Sequence, residues 1–230
     1  MFNSIAGDYD TLNHLMSLGV DRTWRKRALK EIMPTVREGG KVLDLACGTG
    51  DFSIAIARKA KKKGYGGVAV VGADLSEGML AVMEEKVKKE GLEEMVDMMV
   101  ADGEDLPFGD GTFECVSIAF GIRNFENREQ GLCEMLRVLK KGGKLVILEL
   151  SLPSNPVVKL FYNLYFKNIM PLIGGKISGD KGAYRYLPAS VEKFPGKTEF
   201  MGTLSGCGFS EVSHKAFTLG ICRMYTGVKL

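Results

Sequence analysis

The sequence is poor in histidine and has no paired cysteine motif. It holds 2 histidines and 5 cysteines among 230 residues, and no two cysteines are spaced as Cys-x-x-Cys. A zinc site needs His or Cys ligands at characteristic spacings, and a disulfide framework needs an even set of cysteines. We therefore expect no metal site, and we expect the protein to work in a reducing compartment.

An excess of charge of one sign and a long apolar run are also lacking. The formal net charge is +3, which is too small to indicate a nucleic-acid partner. No stretch of about 18 apolar residues is present, and the N-terminus has no signal-peptide pattern. These absences predict a cytoplasmic protein that does not span a membrane. They leave open a peripheral, transient contact with the inner face of a membrane.

Short apolar runs alternate with amphipathic helical patterns over residues 41–150, and this alternation predicts a parallel sheet covered by helices on both faces. Lys140–Gly143 follows the last of these helices and is predicted to be its C-cap. The predicted strands are 42–45, 68–73, 96–101, 115–120 and 144–150, the predicted helices are 52–62, 76–90 and 128–139, and an antiparallel pair at 210–217 and 221–229 completes the sheet.

The flanks of this core differ from it in composition, which predicts four regions along the chain. Residues 1–38 form an N-terminal helical cap, and residues 39–152 form the cofactor-binding α/β core. Residues 153–198 form a helical, aromatic substrate cap, and residues 199–230 form a C-terminal helix with the antiparallel strands. Within the second cap, residues 156–172 have apolar side chains at helical spacing. They predict either a helix packed on the sheet or an apolar lid that rests on a membrane surface.

The most informative segment is residues 42–50, where an apolar strand carries Asp44 near its end and breaks into a turn containing Gly48 and Gly50. A helical pattern follows at once. Open α/β sheets bind nucleotides at such a point, because backbone N–H groups converge beyond the carboxyl end of a strand. Glycine lets the backbone bend sharply and lets a ligand approach closely. The segment therefore predicts a site for a nucleotide-like cofactor.

Two cofactors compete for this turn. A dinucleotide turn favours a third glycine or alanine, and this sequence has Ser53 there. A carboxylate such as Asp44 is electrostatically unfavourable beside a pyrophosphate and favourable beside a cation. S-adenosylmethionine carries a sulfonium and an ammonium and no phosphate, so the residues favour it. An NAD-dependent oxidoreductase is the rival interpretation.

Further acidic residues are predicted to lie at the ends of successive strands. Asp74 is placed to accept hydrogen bonds from ribose hydroxyls, and Asp102, followed by Gly103, is placed near an adenine amino group. Glu114 is interpreted as a fourth member of this series. One strand-end carboxylate has many explanations, but four together indicate a cofactor site.

The sequence resembles the ubiquinone/menaquinone biosynthesis C-methyltransferase family over nearly its whole length. Glycine-rich turns are common to many methyltransferases, whereas Phe120–Asn124 and Ala183–Leu187 are far more specific. The segments that carry the resemblance are Met1–Asp10, Leu43–Asp51, Ile118–Asn124, Arg137–Leu145, Ser178–Asp180 and Tyr184–Leu187.

The resemblance implies a class I S-adenosylmethionine-dependent methyltransferase fold. This is an α/β, Rossmann-like fold with a mostly parallel seven-stranded sheet, helices on both faces and an antiparallel C-terminal strand. It implies S-adenosylmethionine as the cofactor. The cofactor contacts that it implies are Thr49, Asp74, Asp102, Gly103 and Ala119, which join Asp44, Gly48 and Gly50 from the turn.

The resemblance also implies the acceptor, a polyprenylated quinol that is methylated on a ring carbon in quinone biosynthesis. Relatives that act on both ubiquinone and menaquinone precursors begin well before the Phe2-Asn3-Ser4 segment, whereas this chain begins at it, so 2-demethylmenaquinol is favoured. The alternatives are a ubiquinone-pathway benzoquinol, another phenolic molecule, and an inactive cofactor-binding scaffold of a quinone-synthesis complex. A homodimer is left open.

Ring methylation needs a hydroxyl group whose proton is removed or polarised, so that the neighbouring carbon attacks the sulfonium methyl. We expect Arg123 to stabilise the quinolate oxygen and Asn124 to orient the ring. Arginine cannot act as a base, so a bound water or Glu149 is the expected proton acceptor. Tyr184 and Tyr186 are candidates to line the ring site. His14 is an alternative base, for which we expect a surface role instead.

Overall fold

A computed structural model of the protein describes residues 17, 19–37, 39–165 and 181–230, with only the backbone described for 181–185. The predicted segments at 1–10 and 178–180, and His14, lie outside these residues. The elements are α1 (Asp21–Ile32), β1 (Lys41–Leu45), α2 (Asp51–Lys62), β2 (Ala69–Asp74), α3 (Glu77–Glu90), β3 (Val96–Val100), β4 (Phe113–Ala119), a 3-10 turn (Ile122–Asn124), α4 (Arg128–Val138), β5 (Leu139–Leu150), α5 (Pro156–Leu164), α6 (Lys181–Lys193), α7 (Lys197–Gly206), β6 (Ser210–Phe217), a second 3-10 turn (Thr218–Gly220) and β7 (Cys222–Val228).

The seven strands form one sheet in the order β3-β2-β1-β4-β5-β7-β6. β1 pairs in parallel with both β2 and β4, and β7 runs antiparallel between β5 and β6. The predicted fold, a mostly parallel seven-stranded sheet with an antiparallel C-terminal strand, is confirmed. The direction of strand addition reverses between β1 and β4, and in open α/β sheets ligands bind beyond the strand ends at that point.

The side chains of successive residues in the central strands point to opposite faces of the sheet. In β1, Val42 packs with α1, α2 and α3, whereas Leu43 and Leu45 pack with α4 and α7. Both faces are therefore apolar and covered, as the continuous apolar runs predict for parallel strands. Asp44 lies on the same face as Val42 and is 1% exposed, so it is a carboxylate within an apolar layer.

The predicted C-cap at Lys140–Gly143 is wrong. α4 ends at Val138, and Leu139 is already extended as the first residue of β5. The carbonyl groups of Arg137 and Val138 at the end of the helix accept hydrogen bonds from the backbone N–H groups of Gly111 and Thr112, at 3.0 and 2.8 Å. Because another loop binds the end of the helix, no glycine cap is needed. Gly142 instead lies in an irregular part of β5, where its φ is +75°.

α5 covers residues 156–164 of the segment predicted at 156–172, and residues 166–172 lie outside the described residues. Asn155 caps α5 by accepting hydrogen bonds from the N–H groups of Val157 and Val158. Among the residues that the structure describes, no helix has both the length and the apolar character needed to cross a membrane. The predicted division into four regions stays a prediction.

Candidate functional site

A cavity of about 350 Å³ opens beyond the carboxyl ends of β1 and β4. One wall comes from α1 and another from the turn between β1 and α2. The remaining walls come from the segment after β4, from α5 and from the loop before β7. The side chains that matter below are Asp44, Thr49, Ala119, Phe120, Arg123, Trp24, Arg25 and the aromatic residues Phe161, Tyr162 and Tyr165, all of which line the cavity.

The turn between β1 and α2 is held in an unusual backbone conformation. Ala46, Gly48 and Gly50 have φ values of +49°, +56° and +81°. A Cβ at Gly50 would lie 2.3 Å from Cγ of Met83, so α3 packs directly against the turn. Left-handed conformations favour glycine, and the two glycines occupy the positions where the sequence predicted them. Ala46 adopts the conformation without that freedom, which is the kind of strain found at functional sites.

Asp44 is fixed by two hydroxyl groups within the apolar layer. Its carboxylate accepts hydrogen bonds from Ser53 of α2 at 2.6 Å and from Ser117 of β4 at 2.7 Å. Burial raises the pKa of the Asp44 carboxyl to about 6, while the two serine hydroxyls and the nearby Arg25 oppose that rise. A buried carboxylate is costly without a compensating cation. Asp44 lines the cavity, as expected for the partner of a cationic ligand.

Asp74 ties the end of β2 to the glycine-rich turn. One carboxylate oxygen accepts a hydrogen bond from the backbone N–H of Gly48 at 2.8 Å, and the other accepts from Ser76 at 2.9 Å. A carboxylate has about four acceptor positions, so this arrangement leaves capacity for two ribose hydroxyls. The predicted role of Asp74 in ribose binding stays a prediction that its position allows.

Asp102 and Gly103 follow β3 at the same edge of the sheet. The Asp102 carboxylate is exposed and accepts a hydrogen bond from the backbone N–H of Glu104 at 2.9 Å. A Cβ at Gly103 would lie 2.4 Å from the ring of Phe125, so glycine is required there. Asp74, Asp102 and Gly103 do not line the cavity, whereas Gly48, whose N–H donates to Asp74, does.

The inclusion of Glu114 in the series of strand-end acids is wrong. Glu114 is the second residue of β4 and therefore lies at the opposite edge of the sheet. Its carboxylate accepts a hydrogen bond from the backbone N–H of Lys41 at 2.6 Å and pairs with Lys140. The Lys140 and Lys41 hydrogen bonds outweigh partial burial, so the pKa of the Glu114 carboxyl is lowered. Glu114 fastens strands to each other and is remote from the cavity.

Arg123 and Glu149 form an ion pair beside the cavity. The Nη1 of Arg123 donates to Oε1 of Glu149 at 2.9 Å, and the side chains are 7% and 0% exposed. Nη1 also donates to the carbonyl oxygen of Phe120, and Nε donates to the Ser190 hydroxyl at 3.3 Å. The backbone N–H of Arg123 donates to the second oxygen of Glu149 at 3.1 Å. Arg123 lines the cavity and Glu149 does not.

Asn124 and Tyr186 contact each other outside the cavity lining. The Tyr186 hydroxyl donates to the side-chain oxygen of Asn124 at 2.9 Å, which links α6 to the turn that carries Arg123. Of the two tyrosines predicted at the ring site, Tyr186 is 37% exposed. The side chain of Tyr184 lies outside the described residues. Thr49 and Ala119, both predicted cofactor contacts, line the cavity.

Residues of α1 line the cavity, although the sequence indicates no role for them. Trp24 donates from Nε1 to the Thr218 hydroxyl at 2.9 Å, and its ring lies 6.0 Å from that of Phe120. The Arg25 guanidinium lies 5.6 Å from the centre of the same ring. Phe120 was predicted to be the last strand residue, but β4 ends at Ala119 and Phe120 has a φ of +62°. The aromatic and basic composition of α1 is the feature of the sequence that could have indicated a role for this helix.

The residues present fit S-adenosylmethionine. The cavity contains a buried carboxylate, Asp44, which suits a cationic ligand and would repel a phosphate. The turn beside it contains Gly48 and leads through the N-cap Gly50 into α2. Asp74 ends β2 and Asp102 follows β3, where their carboxylates are available to the polar groups of a nucleoside.

Comparison with solved structures shows that the fold is shared by several transferases and by an enzyme of another class. A SAM-dependent methyltransferase from Aquifex aeolicus is 20% identical and superposes with a TM-score of 0.63, over 88% of this chain and 89% of that one. The [4+2]-cyclase SpnF is 17% identical with a TM-score of 0.69, over 92% and 82%. These likenesses establish the fold, and fold alone does not determine a reaction.

Comparison with curated proteins is more specific. The chain is 48% identical to the ubiquinone/menaquinone biosynthesis C-methyltransferase UbiE of Geobacter sulfurreducens, over 100% of this chain and 87% of the relative. It is 43% identical to the demethylmenaquinone methyltransferase of Bacteroides fragilis, over 100% and 91%. The predicted enzyme class and the predicted S-adenosylmethionine cofactor agree with these findings. The sequence model of the ubiE/COQ5 methyltransferase family matches residues 1–229, and the chain belongs to that family.

Proposed function

We propose that the protein transfers the methyl group of S-adenosylmethionine to a ring carbon of a polyprenylated quinol, with 2-demethylmenaquinol as the favoured acceptor. The relative from Bacteroides fragilis is named for demethylmenaquinone and matches along the whole chain. The observation that carries the proposal is the placement of Arg123 in a cavity with aromatic walls, which Asp44 also lines and which Asp74 and Asp102 do not. A nucleoside on Asp74 and Asp102 leaves this cavity for the reacting groups.

Bound S-adenosylmethionine supplies an electrophilic methyl group on a positively charged sulfur. Asp44 holds a negative charge in the cavity wall, and Ser53 and Ser117 fix the direction of its carboxylate. Trp24 and Phe120 exclude water from the same region and offer flat faces to an aromatic ring. Together these residues bind the cationic donor and orient the ring against it.

Arg123 stabilises the negative charge that develops on the quinol oxygen. Three acceptors already orient its guanidinium: Glu149, Phe120 and Ser190. A guanidinium fixed before the reaction stabilises a forming oxyanion without reorganisation. Arginine does not release its proton in proteins, so Arg123 lowers the pKa of the quinol hydroxyl and does not remove its proton.

The geometry favours a positioning role for Glu149. Its Oε1 accepts hydrogen bonds from Arg123 Nη1 and from the backbone N–H of Leu150, and its Oε2 accepts from the backbone N–H of Arg123. Because Glu149 does not line the cavity, it affects the quinol only by orienting Arg123. We therefore assign proton acceptance to a bound water and the alignment of Arg123 to Glu149. Asn124 with Tyr186 is proposed to hold the turn that carries Arg123 against α6.

We further propose that α5 brings the cavity mouth to a membrane surface. Phe161 lines the cavity and is 65% exposed, and Val157, Leu160 and Leu164 are 60%, 68% and 51% exposed on the same short helix. A cluster of exposed apolar side chains marks an interaction surface. A polyprenyl tail is insoluble in water, so an apolar mouth at a lipid surface suits its entry.

A ubiquinone-pathway benzoquinol is the second candidate acceptor, because the relative from Geobacter sulfurreducens is named for both pathways. We expect methyl transfer from labelled S-adenosylmethionine to reduced demethylmenaquinone with a short prenyl tail, and the product to carry the methyl group on carbon. The controls are the matching benzoquinol, a simple phenol and no acceptor. Transfer to oxygen, or binding of the donor without transfer to any quinol, contradicts the proposal.

Arg123→Lys tests the oxyanion role. Lysine keeps a cation beside Glu149 but loses the planar set of donors, so we expect kcat to fall about 10- to 100-fold. The dissociation constant for S-adenosylmethionine, measured by calorimetry, should stay within about threefold of wild type. Unchanged turnover with intact donor binding would remove Arg123 from the mechanism.

The raised pKa of Asp44 predicts that donor binding depends on pH. Below a pKa of about 6 the Asp44 carboxyl is protonated and loses its attraction for a cation. Affinity for S-adenosylmethionine should therefore fall as the pH falls, by about tenfold between pH 7 and pH 5. Asp44→Asn should bind more weakly and without this dependence, and uncharged 5′-methylthioadenosine should bind wild type equally at both pH values. The same pH dependence in the variant would contradict the assignment.

Vesicle flotation tests the membrane contact. The double variant Leu160→Ser/Phe161→Ser removes two exposed apolar side chains from α5 and should reduce the bound fraction at least about threefold. Leu230→Ser is the matched control, because Leu230 is 76% exposed and follows β7 at the opposite edge of the sheet. Equal binding by wild type, double variant and control would overturn the proposal for α5.

A further inference from the structure

We propose that Arg25 binds the α-carboxylate of the methyl donor, across the cavity from Asp44. The inference rests on S-adenosylmethionine as the donor and not on the identity of the acceptor. The methionine half of the donor ends in a zwitterion, so its site needs a cation as well as an anion. The cavity contains Asp44 as a buried anion, and the question is which side chain supplies the matching cation.

Among the described residues that line the cavity, Arg25 and Arg123 carry a fixed positive charge. Arg123 is committed to the fully buried Glu149, to the Phe120 carbonyl and to Ser190, and both Nε and Nη1 are used in these contacts. Arg123 is also assigned to the quinol oxygen, and Arg25, although paired with Asp21, keeps a buried nitrogen without a hydrogen-bond partner among the described residues. The structure therefore points to Arg25 for the donor carboxylate.

Arg25 has an unused donor. Its Nε is buried and has no hydrogen-bond partner among the described residues. Its Nη1 donates to Asp21 and lies 3.7 Å from a carboxylate oxygen of Asp51. The edge of a guanidinium that carries Nε is one of the two edges that match a carboxylate with parallel hydrogen bonds. A buried N–H without a partner is costly, and a ligand that accepts from it removes that cost.

The neighbours of Arg25 fix its guanidinium close to the turn between β1 and α2. Asp21 is one turn earlier on α1 and is 4% exposed, so the pair keeps the guanidinium at a set position. The guanidinium lies over the ring of Phe120, with its carbon 5.6 Å from the ring centre. Asp51, whose carboxylate lies 3.7 Å from the same Nη1, is the first residue of α2, directly after Gly50. Arg25 is therefore between the glycine-rich turn and the segment after β4, where the methionine half must lie.

Decarboxylated S-adenosylmethionine gives a direct test, because it keeps the sulfonium and the amine and lacks the carboxylate. We expect wild type to bind S-adenosylmethionine about 10- to 100-fold more tightly than the decarboxylated compound. Arg25→Lys keeps a cation for Asp21 and loses the Nε edge, so it should bind the two compounds with affinities within about threefold. Calorimetry without any acceptor gives both ratios, and this readout does not depend on methyl transfer.

Arg58→Gln is the matched control, because Arg58 is an arginine of α2 whose ion pair with Glu90 is on the surface. This variant should keep the wild-type ratio. An equal loss of affinity for both compounds in Arg25→Lys would show that Arg25 only shapes the site, and would overturn the proposal. A wild-type ratio near one would overturn it without any variant. If no quinol is methylated but wild type still binds S-adenosylmethionine much more tightly than the decarboxylated compound, the proposed function is contradicted and the role of Arg25 stands.

Discussion

The buried carboxylate of Asp44 is the constraint on which the site depends. It lies near the carboxyl end of β1, within the layer where α1, α2 and α3 pack on the sheet. Its two hydrogen bonds reach α2 and β4, so one side chain joins the three elements that meet at the reversal of strand order. A charge in this position is unfavourable unless a cation comes to it. The arrangement therefore favours binding of a positively charged donor.

The other charges of the site are arranged around that anion and do not neutralise it directly. Arg123 is paired with Glu149, and Arg25 is paired with Asp21. Phe120 lies between the two arginines, since its ring contacts Arg25 and its carbonyl accepts from Arg123. Its left-handed backbone, with a φ of +62°, makes both contacts compatible with the end of β4. In this account one arginine serves the donor and the other serves the oxygen of the acceptor.

The sequence predicts the fold well because each local pattern agrees with the sheet. The glycines at 48 and 50 occupy the left-handed positions, and Asp44 and Asp74 occur at adjacent strand ends as expected. The prediction is wrong at Lys140–Gly143, where Gly111 and Thr112 from a distant loop bind the helix end. It is also wrong for Glu114, because the start and the end of a short strand look alike in sequence. Arg25 had no assigned role, since only the folded chain brings α1 to the turn.

The measurement that most directly tests the account is a crystal structure of the protein with S-adenosylhomocysteine and a short-chain demethylmenaquinol analogue. We expect the ribose on Asp74, the sulfur directed into the cavity between Asp44 and Phe120, and a ring oxygen within hydrogen-bond distance of Arg123. A nucleoside bound inside the cavity, or a ring bound away from Arg123, would contradict it.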